Sequence, residues 1–182
     1  MSYTTQNDLL LNKLLVFYQS NNNLDKMLAI INGESRISLR IVDWFATNYA
    51  KKYYTLYDLD DSTKRFKVYV DYKLKLKAYS KRRFDPFCRW ERINIPYKEG
   101  NFIQTTIGQL NFFKWALEYG VVKYIEDNYA QIEKDMNTRN STSKRKETAA
   151  STSKTRKKRE ELSISASKSI KREDIEIIVE FN

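Results

Sequence analysis

Histidine is missing altogether from these 182 residues, and Cys88 is the lone cysteine. The first absence removes the commonest general base and the commonest metal ligand. The two together exclude an intramolecular disulfide and any zinc site built from cysteine or histidine. Cys88, beside Phe87, reads as a small packed hydrophobe rather than a nucleophile, because no histidine can activate it. Four scattered glycines (Gly33, Gly100, Gly108, Gly120) cannot form a phosphate-cradling loop. The carboxylate pair Asp60 and Asp61, between Tyr57 and Ser62, has the look of a polar turn. No enzymatic activity, cofactor or metal is therefore expected. The N-terminal stretch MSYTTQNDLLLNKLLVFYQS lacks a basic leader pattern, and no apolar run approaches the length of a membrane span. The expectation is a soluble intracellular protein with no membrane partner.

Positive charge and aromatic rings are plentiful. The formal net charge is +10, the predicted pI is about 9.5, and 41% of residues are hydrophobic, enough for one core. This balance points to nucleic acid or another anionic surface. Residues 64–92, KRFKVYVDYKLKLKAYSKRRFDPFCRWER, hold eleven basic residues against three acidic ones. From Phe66 to Ala78 apolar and charged residues alternate, the period-2 pattern of a half-buried strand. As a strand, Phe66, Val68, Val70, Tyr72, Leu74 and Leu76 face a core and Lys67, Lys73, Lys75 and Lys77 the other side. As a helix, the ridges 66-70-74-78 and 68-72-76 fall on opposite sides and no single stripe forms. The strand is the expectation, although lysine, leucine and alanine favour helix. The candidate nucleic-acid-binding residues are Lys73, Lys75, Lys77, Lys81, Arg82, Arg83, Arg89, Trp90 and Arg92, since arginine forks and flat rings hold phosphates and bases. The competing reading is a solvated lysine face that protects an edge strand.

Elsewhere the periodicity is helical. Asp8 is a plausible N-cap for LLLNKLLVFY, LDKMLAII forms a second helix ended by Asn32-Gly33, and Ile37, Ile41, Phe45 and Tyr49 mark a third. RINIPY and NFIQT flank KEG as a hairpin with glycine at the left-handed position. Thr106 and Gln109 have capping-box spacing, opening a helix with Ile107, Leu110, Phe113 and Leu117. Beyond Gly120, Val122, Ile125, Tyr129, Ile132 and Met136 form either a core face or a partner-binding stripe. The predicted fold is α+β, with helices packed on a small antiparallel sheet over residues 1–137. RFKVYVDYKLKLKAYSKRRFDPFCR, TTIGQLNFFKWALEYGVVKYI and IEKDMN together resemble an uncharacterised family found in large DNA viruses of eukaryotes, the iridoviruses and giant viruses. The resemblance covers roughly Ser38 to Asn137 and implies a viral protein acting in a eukaryotic cell. It implies no activity and transfers no functional residue.

Composition changes at Asn137. Residues 138–172 lack aromatics and are basic and rich in serine and threonine, so burial cannot offset roughly 1–2 kcal/mol per residue of ordering, and disorder is expected. Lys144-Arg145 and Arg156-Lys157-Lys158-Arg159 have the spacing of a bipartite nuclear localisation signal, which requires an extended chain lying in a nuclear import carrier. Residues 173–182 read as a short strand pairing with the domain, or as an interaction motif. Two functions follow. One is a non-enzymatic viral nucleic-acid-binding protein of weak sequence specificity, with DNA favoured over RNA, acting in the host nucleus or virion. The other is a virion structural or scaffold protein that binds a protein partner through helix 107–136.

Overall fold

In the computed structural model, residues 5–59, 65–149 and 172–173 are described. The chain is α+β, mostly helical, with two small antiparallel sheets. Helix α1 (Gln6–Gln19) is capped by Thr5, whose side chain accepts from the Asp8 amide while the Asp8 carboxylate accepts from the Thr5 amide. Asp8, expected as the cap, is thus the third residue of a reciprocal capping box. Helix α2 (Asn23–Ile31) follows a short turn. The third helical signal is realised as α3 (Leu39–Trp44), a π-helical turn (Phe45–Tyr49) and α4 (Ala50–Lys52), with Ser38 as cap.

Strands β1 (Leu56–Asp58) and β2 (Arg65–Lys67) pair antiparallel, with Tyr57 opposite Phe66. Immediately after β2 the chain turns into α5 (Val68–Arg83). This overturns the long strand expected from Phe66 to Ala78. The alternation is real, but it marks the two sides of a helix. Val68, Tyr72, Leu76 and Tyr79 pack on the core, while Val70 and Leu74 stand exposed on the opposite side. The local preference of lysine, leucine and alanine for helix prevails because α5 finds partners in α6 and the π turn.

The KEG hairpin forms as expected. Strands β3 (Ile93–Pro96) and β4 (Phe102–Thr105) pair with Ile95 opposite Ile103, and Gly100 takes φ 78°. Strand β5 (Arg172–Glu173) pairs with β4, Ile103 opposite Arg172. The remainder of the expected terminal strand, 174–182, lies outside the described residues.

Helix α6 (Ile107–Glu118) is the axis of the fold. Its Leu110, Phe112, Phe113, Trp115 and Ala116 are all buried, as in a helix that is apolar on every side. It touches α1, α2, α5 and α7. The Trp115 ring lies 5.6 to 6.5 Å from those of Phe112, Phe84, Tyr72 and Phe66. Its indole N–H donates to the Asp71 carboxylate at 2.8 Å, and the Tyr18 hydroxyl donates to the Leu110 carbonyl at 2.6 Å. Helices α7 (Val121–Asp127) and α8 (Tyr129–Ala149) follow, divided by left-handed Gly120 and by Asn128. Helix α8 runs past the compositional break at Asn137 to Ala149, and the rest of the basic tail, 150–171, lies outside the described residues.

Candidate nucleic-acid interface

Because α5 is a helix, the candidate lysines do not share one face. Lys73 and Lys77 lie with Val70 and Leu74 on the outer side, exposed. Lys75 leans the other way, its Nζ 5.5 Å from the centre of the Tyr119 ring. The helix breaks at Ser80, held at φ 60° and ψ 168°, a conformation that costs a non-glycine residue on the order of 1–3 kcal/mol. This break redirects Lys81, Arg82 and Arg83.

Helix α6 holds the redirected segment in place. The Asn111 side chain donates to the Arg83 carbonyl at 2.9 Å, the Asp85 amide donates to the Gly108 carbonyl at 3.1 Å, and Gln109 Nε2 donates to the Pro86 carbonyl at 2.9 Å. Gln109 departs from the capping box read in the sequence. Its amide bonds the Thr106 hydroxyl as expected, but its buried side chain bonds Thr105 and Pro86 instead of turning back to the cap. Phe84 is buried against Phe112 and Trp115, anchoring the same turn.

The end of α5 and the loop beyond it are tied at four points. Arg89 Nε lies 3.5 Å from buried Asp85, which also accepts the Phe87 amide at 3.0 Å. Arg82 lies 3.8 Å from Glu91, an exposed pair of little energetic weight. Arg92 donates to Gln104 on β4 at 3.0 Å, and Arg83 to Gln6 on α1 at 3.3 Å. Trp90 stands 44% exposed in this loop. Thus Arg82, Arg89, Trp90 and Arg92 occupy one corner at the end of α5. Lys73, Lys77 and Lys81 make no ion pair with a described residue. Over residues 65–92 ten basic residues face three acids. Asp85 pairs with Arg89 and Glu91 with Arg82, and Asp71 accepts from the neutral Trp115 indole without losing its charge, so ten basic residues less three acids leave the segment at +7.

Behind the corner lies Asp43. Burial pushes its carboxyl up to about 6, nearby Asp85 adds to the rise, and Arg89 and Lys81 partly oppose it. Tyr72, half-buried beside this cluster, is pushed up to about 12, mainly by burial. Among the described residues no group of three or more histidine, cysteine, aspartate or glutamate side chains is placed to hold a metal ion. Nor is any helix there long and apolar enough to cross a membrane.

The candidate partner stripe on the last helices is largely core. Ile125 and Ile132 are fully buried, Met136 nearly so, and Val122 and Tyr129 half-buried. Sequence reasoning overlooked several apolar residues that reach solvent, among them Val16, Tyr54, Leu56, Val70 and Leu74. For Val70 and Leu74 the signal was the pair of α5 ridges on opposite sides, one of which had to face outward if the segment was helical. Of the tail residues, Lys144 and Arg145 fall within the last part of α8, and Arg156, Lys157, Lys158 and Arg159 lie outside the described residues.

The described residues form an α+β domain that presents a cationic corner with one exposed indole. The chain belongs to DUF7197, a family of unknown function, which matches residues 2–182. It is 46% identical over 128 residues to "Uncharacterized protein L507" of Acanthamoeba polyphaga mimivirus, covering 66% of this chain and 49% of that protein. The chain thus spans about half the length of the curated relative it matches. The resemblance to an uncharacterised family of large DNA viruses therefore holds. No solved structure matches the chain.

Proposed function

We propose that this protein is a non-enzymatic nucleic-acid-binding protein of weak sequence specificity, and that DNA is its ligand. The supporting observation is the corner after Ser80. There Lys81, Arg82, Arg89 and Arg92 lie on the same clamped segment as exposed Trp90, in a stretch, 65–92, where ten basic residues outnumber three acids. Guanidinium groups neutralise phosphates, and an exposed indole stacks on an unpaired base. The basic tail, with Lys144, Arg145, Arg156, Lys157, Lys158 and Arg159, adds sequence-independent affinity and serves nuclear import through a carrier, consistent with action in the host nucleus or virion.

The test is a retardation assay on the full chain over a salt series. Changing Arg82 and Arg83 to alanine should weaken binding and reduce the slope of log affinity against log salt by about 1 for each phosphate no longer neutralised. If only neutralising the tail cations weakens binding, the corner is not the site.

A further inference from the structure

We propose that the groove where α4, β1 and the start of α5 meet docks an acidic, amphipathic segment of a protein partner. The groove has a volume of about 460 Å³. Tyr54, Leu56, Tyr69 and Val70 line it together with Lys51 and Lys67. Tyr54 is 83% exposed, Leu56 45%, Val70 52% and Leu74 59%. Val70 and Leu74 are one turn apart, so they extend the apolar surface along α5 as a ridge beyond the groove. Contiguous apolar surface bordered by charge is characteristic of protein–protein contact sites, and exposed tyrosine is a frequent anchor in them.

The backbone of the groove is also specialised. Tyr54 sits at φ 47°, a left-handed conformation unfavourable for a bulky side chain. At 83% exposure the residue is held largely in solvent.

Charge decides the kind of occupant. Among the described residues no acid lines the groove, and Lys51, Lys67, Lys73 and Lys77 border it and the ridge. Asp71, the acid on α5, turns away to the Trp115 indole, and Asp58 at the end of β1 lies 3.8 Å from Arg65. A partner that places leucine or phenylalanine in the groove and carboxylates on the lysines satisfies both features. A nucleic-acid strand would satisfy the lysines but leave the aliphatic ridge uncovered. This surface needs Val70, Leu74 and Tyr54, which the cationic corner does not use, so it stands or falls separately.

The experiment uses the full chain and a fluorescent synthetic helical peptide with leucine at i, i+3 and i+4 spacing and glutamate elsewhere. Saturable binding is expected, at least tenfold weaker for Val70→Gln with Leu74→Gln and for Tyr54→Ser. These substitutions are neutral and exposed, so thermal stability and oligonucleotide affinity should stay at the unmodified values. A control peptide with serine for leucine should bind at least tenfold more weakly. The proposal is overturned if the unmodified chain does not bind the peptide, if the serine peptide binds equally well, or if the variants leave peptide binding unchanged. An equal loss of oligonucleotide and peptide binding would assign the ridge to nucleic acid and overturn it as well.

Discussion

Gly108 lies so close under the Arg82 backbone that a Cβ on it would stand 3.0 Å from the Arg82 carbonyl oxygen and 3.2 Å from the Asp85 nitrogen. This glycine is needed for close approach, not for a turn. It lets the first turn of α6 press against the chain that carries the cationic corner, and the Asp85 to Gly108 hydrogen bond locks the two together.

Gly108→Ala should therefore destabilise the domain by about 1–3 kcal/mol, as an overpacked junction between backbones that cannot easily separate. Thermal unfolding checks this. Under conditions where the variant is still folded, it should also bind DNA more weakly, because Arg82 and its neighbours are displaced.

Trp90→Ala should cost no more than about 1 kcal/mol of stability, since nearly half of the residue is exposed. If the ring stacks on an unpaired base, affinity for a single strand should fall by roughly 1–3 kcal/mol with little change on duplex. Anisotropy on the two ligands measures the difference, and an equal loss on both would reduce Trp90 to a supporting role.

Asp43 gives a pH dependence of defined sign. Burial raises its carboxyl to about 6 in the folded protein, above the ordinary value, so the folded state holds the proton more tightly than the unfolded chain. This group weakens the fold at neutral pH, and the penalty is relieved as pH falls through about 6 toward 4. Asp43→Asn should raise stability at pH 7 by at most about 3 kcal/mol, at 1.36 kcal/mol per unit. Denaturant unfolding at pH 7 and pH 5 should show the gain shrinking at the lower value.

Asp135 acts in the opposite direction. Burial would raise its carboxyl, but hydrogen bonds from Lys52, Trp44 and Tyr53 and the charge of Arg139 outweigh that and hold it below the ordinary value. These interactions, at 3.1 to 3.2 Å, fasten α3 and α4 to α8. The stability they supply is present above the ordinary carboxylate range and disappears as pH falls through the lowered value. Asp135→Ala should cost about 1–3 kcal/mol at pH 7, because it removes the partner of part-buried Trp44 and Arg139, while exposed Lys52 and Tyr53 return to water. Urea unfolding would reveal a smaller loss if the hub were incidental.

Sequence alone determined the features that depend on one residue's backbone or on composition. Gly100 closes the hairpin and Gly120 ends a helix because each must take positive φ, and Ser38 and Thr106 cap helices because their hydroxyls reach the exposed amides. The excess of positive charge and the want of histidine were equally direct. Tertiary structure decided the rest. Alternation from Phe66 to Ala78 suits a strand or a two-ridged helix, and only the packing of Val68, Tyr72 and Leu76 beside α6 selects the helix. That choice separates Lys75 from Lys73 and Lys77 and leaves Val70 and Leu74 in solvent. The corner itself depends on Ser80 being forced out of the helix and on Asn111, Gly108 and Gln109 gripping the turn beyond it. The Gln109 and Asn111 hydrogen bonds join residues 23 and 28 positions apart, a separation that local propensity cannot encode.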